Sequence, residues 1–273
     1  MPINVALVGG GIWAREEHLP AIVASKDLAL KAVYSRTNKS ASSIADNVSY
    51  PLDLYTDEDG KGFDALLERT DIEAVVLSLP IKNQHSLVVP EGKFYQTEWR
   101  KNPTHQGGFL LDGGVHCIAG IRQLLAAQDG NQVAQVSAFT TLLRDHLPPV
   151  DTAHAIFKAL SGATGSFQIS VGSSSKADEW TVECEHGWVK INGHGGSSEV
   201  TVSKDGQVTT ETIQNEKTGV PPEIRAWGEA LVAGRVDEEQ EPEAALADLE
   251  LIELLLKSGD NHGATMDCVH QDV

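Results

Sequence analysis

In the run GGFLLDGGVHCIAGIRQLL, residues 107–125, an aspartate and a histidine stand four positions apart, at Asp112 and His116. On a helix that spacing places both on one face. A histidine near its ordinary pKa beside a carboxylate is a suitable proton-transfer group for an alcohol or carbonyl. Glycines at 107, 108, 113 and 114 leave the pair unobstructed, as a ligand lying against the backbone requires. The same spacing also suits a buried structural hydrogen bond.

A second constellation opens the chain. In INVALVGGGIWA a short apolar run ends in three glycines, and REEHLPAIVAS follows with Leu19, Ile22 and Val23 at helical spacing. Gly9, Gly11 and Ala14 fit the pattern G-x-G-x-x-G/A. The first small residue permits a tight turn, the second lets the backbone approach a pyrophosphate, and the third allows close helix packing. The phosphates would rest on free N–H groups at the helix N-terminus. An ordinary tight turn has the same appearance, so the surrounding elements decide.

Those elements alternate. LALKAVYSR reads as a second strand, KSASSIADN as a helix, LDLYT as a short strand, GFDALLERT as a helix and EAVVLSLP as a buried strand. This is a βαβ series and predicts a parallel sheet. A dinucleotide site selective for NAD usually has an acid at the end of the second strand, to hold the ribose 2′-hydroxyl. Here the chain reads Ser35-Arg36, and a guanidinium suits a 2′-phosphate, favouring NADP over NAD. The other reading of Arg36 is a solvent-exposed residue at a strand end.

Composition bounds the remaining possibilities. A chain of 273 residues with 41% hydrophobic and 22% charged residues describes a globular protein with room for two domains. The formal charge of −18 argues against nucleic acid and anionic membranes as partners, and no apolar run is long enough to span a bilayer. The start, MPINVALVGGG, lacks a basic segment and a cleavage site, which predicts a cytoplasmic protein. Cys117, Cys184 and Cys268 suit structural thiols, and their spacing forms no zinc pattern, so no metal is expected. His186 and His194 read as loop residues. The eight carboxylates between Asp237 and Glu253 read as a solvated helix face with its preceding loop.

Downstream, VAQVSAFTTLL, TAHAIFKAL, GATGSFQISVG, EWTVECEHGWVKING and SEVTVSKDGQVTTETI predict an antiparallel sheet, with SKDGQV the clearest hairpin. PPEIRAWGEALVAG is predicted helical, as is EPEAALADLELIELLLKSG, with Pro242 near its start and Gly259 just past its end. Leu246, Leu249, Ile252 and Leu256 would form the buried stripe of the latter.

Together GGGIWA, SR, LSLPIKNQ, EWR with GGFLLDGGVH, the sheet beginning VDTAHAIFKAL, and the two C-terminal helices resemble the Gfo/Idh/MocA family of NAD(P)-dependent oxidoreductases across nearly the whole chain. The resemblance implies an α/β fold: an N-terminal, partial Rossmann parallel sheet over 1–86, then a C-terminal α+β domain over 87–273 built on a large open antiparallel sheet that often mediates homodimers. It implies hydride transfer to or from a hydroxyl or carbonyl of a small metabolite. It carries Gly9, Gly11 and Ala14 to the pyrophosphate, and Ser35 and Arg36 to the adenosine ribose or its phosphate. Pro80 and Asn83 go to the nicotinamide ribose region, Asp112 and His116 to the catalytic site, and Trp99, Arg100 and Lys101 to the pocket lining.

One departure stands out. The family's Glu-Lys-Pro motif, whose lysine serves the proton step, occurs nowhere in this sequence, and Gln84 runs directly into HSLVVPEGKFYQTEWR. With a βαβ unit taking about 30 residues, the segment missing relative to the family is on the order of 60 to 90 residues. The sheet order 3-2-1-4-5-6 would then stop at 3-2-1-4, leaving an edge at strand 4. Two further readings follow from that gap: a catalytically silent NADP-binding regulatory protein, and a non-functional truncated isoform.

Overall fold

A computed structural model describes residues 1–79, 108–174, 177–193, 196–216, 218–237 and 240–271. The chain divides into two compact units, one comprising Met1–Gln84 with Asp178–Asp237 and the other His85–Ala177 with Glu238–Val273.

The first unit is organised by a parallel sheet of β1 (Ile3–Val8), β2 (Leu28–Ser35), β3 (Asp53–Thr56) and β4 (Ala74–Leu77), in the order β3-β2-β1-β4. A register shift between Val5 and Ala6 changes the phase of β2, so Leu28, Leu30 and Val33 all join one core while Ala32 joins the other. The first core also holds Val5, Leu7, Ile22 and Ile44 from β1, α1 (Leu19–Ala24) and α2 (Asn38–Ala45). The opposite face packs Ala6, Val8, Ala32 and Leu66, the last from α3 (Phe63–Leu67).

Two later segments group with this unit. Helix α5 (Val220–Val232) contributes Val220 and Ile224 to the first core, with Trp227 and Leu231 against it. The first unit therefore leaves the N-terminal chain at Gln84, two residues from the boundary expected at 86, and takes 178–237 out of the expected 87–273 region. The other segment is an antiparallel sheet of β8 (Glu179–Cys184), β9 (Gly187–Gly193), β10 (Ser197–Lys204) and β11 (Gln207–Gln214). Its last hairpin turns at Asp205 and Gly206, with φ of 50° and 81°, the positive pair that a two-residue I′ turn needs.

The second unit pairs α4 (Gly108–Ala126) and α6 (Pro242–Asp260) with the sheet β12-β5-β6-β7, formed by Met266–Asp267, Val133–Thr141, Thr152–Ala159 and Thr164–Ser170. Its core holds Leu110, Ile118, Val136, Phe157, Leu251, Ile252 and Leu255.

Three expectations about α6 and its surroundings need correction. The helix runs through Gly259 to Asp260, because Gly259 is a packing residue: a Cβ there would strike the Thr140 side chain. Left-handed backbone comes later, at His262 and Gly263. The buried stripe is Ala247, Leu251, Ile252, Leu255 and Leu256, whereas Leu246 and Leu249 are each 46% exposed, since the face turned to β5 lies about one position further round. Finally, not every carboxylate of this acidic run is solvated. Asp248 pairs with Arg122 Nη1 at 2.7 Å, and Glu250 accepts from the Val269 and His270 N–H groups and from Gln271 Nε2, fastening the C-terminal strap to the helix. The three cysteines are free thiols. Among the described residues no helix is long and apolar enough to cross a membrane.

Candidate functional site

At the end of β1 the chain turns through Gly9, whose φ of 125° favours glycine. The turn is held on both sides. Gly9 donates its N–H to Tyr34 O at 2.8 Å, and Ser78, just beyond β4, donates to Val8 O at 2.8 Å. A Cβ on Gly9 would strike the Ser78 carbonyl, and one on Gly10 would lie 2.7 Å from Ser40 O. Gly11 differs from both, because a Cβ there would meet nothing within 4 Å among the described residues. Its backbone faces open space at the start of a helical run.

That run begins at once. Arg15 N–H reaches Gly11 O at 3.1 Å, a π-helical turn spans Ala14–His18, and α1 continues it. Ala14 is fully buried in the first core, the close approach that a small residue permits. An approachable glycine below the free N–H groups of a helix start is a phosphate cradle in its chemistry. The residues present therefore fit a dinucleotide pyrophosphate. The π turn also carries His18, whose buried Nδ1 has no hydrogen-bond partner among the described residues. Desolvation lowers its pKa, against a smaller opposing effect of Glu17, so the ring is neutral at pH 7.

At the neighbouring corner, β2 delivers Ser35, which is buried, and Arg36, which is exposed. Thr37 caps α2, accepting from Ser40 N. Because β3 lies alongside β2 with Ser35 opposite Thr56, the acidic turn Asp57–Asp59 arrives at this same corner. Tyr34 donates its hydroxyl to Asp57 Oδ1 at 2.9 Å, and Glu58 Oε2 accepts from the Asn38 N–H at 2.7 Å. The Tyr34 pKa is raised, first by desolvation and then by Asp57, with Arg36 acting in the opposite sense. The three glycine-turn residues and the Ser35-Arg36 pair thus share the C-terminal edge of one parallel sheet. This is where ligands bind in open α/β sheets.

Asp112 and His116 lie on α4 in the second unit. Asp112 is completely buried, whereas His116 is exposed along the helix. Protein around the imidazole still desolvates it enough to lower its pKa, and the carboxylate that acts against this shift is Asp248 of α6. Asp248 was not a sequence candidate, because only the packing of α6 on α4 brings it near. Gly114 serves that same packing: a Cβ on it would lie 2.9 Å from Ile252 Cδ1, so its absent side chain accommodates α6. A depression of about 210 Å³ at the far end of α4 is lined by Arg122, Gln128, Gln132 and Gln271, and neither Asp112 nor His116 borders it. Pro80, Asn83, Trp99, Arg100, Lys101 and the Gln84-His85 junction lie outside the described residues.

Residues 3–90 match the oxidoreductase family with an NAD-binding Rossmann fold, and residues 81–190 match the GFO/IDH/MocA C-terminal domain. A dehydrogenase of Fusarium mangiferae is 30% identical over 347 residues, covering 96% of this chain and 98% of that protein. Among solved structures, an oxidoreductase from Thermotoga maritima superposes with a TM-score of 0.74 at 21% identity, with 98% of each chain covered. A 3-ketoreductase from Actinomadura kijaniata, in complex with NADP and TDP-benzene, superposes at 0.66 and 17% identity, covering 94% of this chain and 98% of that one.

Proposed function

The chain belongs to the Gfo/Idh/MocA family of oxidoreductases, and we propose that it is an NADP-dependent member acting on a hydroxyl or carbonyl group of a small metabolite in the cytoplasm. The observation that carries this reading is the glycine turn, closed by protein at Gly9 and Gly10 and open at Gly11, with Arg36 at the adjoining corner. The nicotinamide, when bound, supplies or accepts the hydride. The chain's own residues do the rest. The turn and the first helical N–H groups hold the pyrophosphate, and Arg36 pairs with the 2′-phosphate. His116, neutral at pH 7 because the protein around its imidazole partly desolvates it, accepts the proton from a hydroxyl in the oxidising direction and returns it in the reducing one. The outer face of β5 and β6, where Phe139 and Ile156 are exposed, is the surface for a homodimer.

A second reading is supported by two observations. The sequence contains no Glu-Lys-Pro, and the alignment with the Fusarium dehydrogenase runs over 347 residues, more than this chain has. A protein that keeps the dinucleotide turn without the proton-transfer lysine would be a dinucleotide-binding regulator with little turnover. Titration of NADPH and NADH fluorescence, together with turnover assays, separates the two. Arg36→Ala should weaken NADPH by about 1–3 kcal/mol, the range for charge-assisted hydrogen bonds, and leave NADH nearly unchanged. Equal losses for both would remove NADP selectivity from Arg36.

A further inference from the structure

An acid that holds the ribose 2′-hydroxyl usually stands at the end of the second strand, and here that place holds Ser35-Arg36. The fold brings an acid to the same corner from the neighbouring strand. Strand β3 ends at Thr56 opposite Ser35, and the next residues carry the Asp57 and Glu58 carboxylates. Glu58 Oε2 accepts from the N–H of Asn38, the first residue of α2, at 2.7 Å, while Thr56 Oγ1 donates to Asn38 Oδ1 at 3.2 Å. Asp57 is engaged separately, by the Tyr34 hydroxyl.

The Asn38 N–H is one of the donors at the positive end of α2 that the helix's own carbonyls do not engage, a group that a phosphate beside Arg36 would use. Glu58 already fills that role with a negative charge of its own. Thr37 provides the ordinary side-chain cap through Ser40 N, so the helix start has a cap without Glu58. A 2′-phosphate entering this corner meets a like charge and a donor that is taken, whereas a 2′-hydroxyl can donate a hydrogen bond to the same carboxylate.

We infer that Glu58 is a specificity-determining residue, whose carboxylate on the first amide of α2 disfavours a 2′-phosphorylated ribose and opposes Arg36. This rests on the proposed dinucleotide site. The preference between NADP and NAD is then a balance between two residues from different strands. Neither an Arg after the second strand nor an acid after the third decides it alone.

The test is Glu58→Gln in the full chain, which keeps an oxygen acceptor for the Asn38 N–H and removes only the charge. NADPH and NADH are titrated by fluorescence against parent and variant. The expected result is NADPH binding about tenfold tighter, equivalent to ~1.4 kcal/mol, with NADH unchanged or weaker. NADPH affinity that stays the same or falls, while the parent binds dinucleotide, overturns the inference and leaves the dinucleotide site standing. Should neither dinucleotide bind the cooperatively folded parent, the site itself is overturned, and the inference with it. If Glu58→Gln disturbs folding, Glu58→Ala provides the same comparison, because Thr37 still caps the helix.

Discussion

Two glycine-rich stretches lie in different units of this chain, one a turn and the other inside a helix, and they use the missing side chain in opposite ways. At residues 9–11 Ser78, just beyond β4, closes on Gly9 and Ser40 of α2 closes on Gly10, while Gly11 faces open space among the described residues. At residues 113–114 the glycines sit inside α4, and Ile252 of the packed helix α6 comes within 2.9 Å of where a Gly114 Cβ would be. Both stretches have the small residues that a ligand lying against backbone demands. Only the first keeps its approach clear of the protein's own atoms. At the C-terminal edge of a parallel sheet, just before a helix start, an unfilled glycine leaves room for a ligand, whereas a glycine whose place a neighbour fills serves packing.

The largest effect that separates these roles is expected at Gly9. Its φ of 125° is unsuited to an L residue, and its Cβ would strike the Ser78 carbonyl, a backbone atom that cannot step aside. Gly9→Ala should cost about 3 kcal/mol or more, read by chemical denaturation. A loss below about 1 kcal/mol would mean that the turn can rearrange.

Gly114→Ala should cost less. Overpacking a core costs about 1–3 kcal/mol. Here the obstacle is the end of a flexible isoleucine, and alanine regains up to ~1 kcal/mol of helix propensity over glycine. A net loss of about 1 kcal/mol with dinucleotide affinity unchanged is expected in the same denaturation and titration experiments. A loss of affinity at unchanged stability would instead return Gly114 to the ligand.

What the sequence could and could not reveal follows the same division. The βαβ order and the Asp205-Gly206 hairpin were legible because local patterning determines them, whereas the sheet order β3-β2-β1-β4 was legible only through the resemblance to a Rossmann sheet. The phase of α6 was not, since leucines at 246, 249, 251, 254, 255 and 256 surround most of the helix and the period alone cannot choose among them. Contact with Thr140 at Gly259 chooses. Asp112 and His116 were legible as a spacing, but their different burial and the approach of Asp248 belong to tertiary packing. Glu58 was visible as part of DEDG after the third strand. A rule that inspects only the end of the second strand overlooks it, although parallel pairing of neighbouring strands makes the two ends adjacent.

The smallest expected effect on stability is at Gly11, and it gives the sharpest test of the central claim that this turn binds a dinucleotide. Its conformation lies outside the left-handed region and its Cβ would meet nothing within 4 Å among the described residues, so Gly11→Ala should unfold within about 0.5 kcal/mol of the parent. The added methyl would stand where a pyrophosphate approaches the backbone. The decisive measurement is NADPH titration of Gly11→Ala beside the parent, with both melts recorded. The account predicts equal melts and at least tenfold weaker NADPH binding, about 1.4 kcal/mol; equal melts with equal NADPH affinity would contradict it.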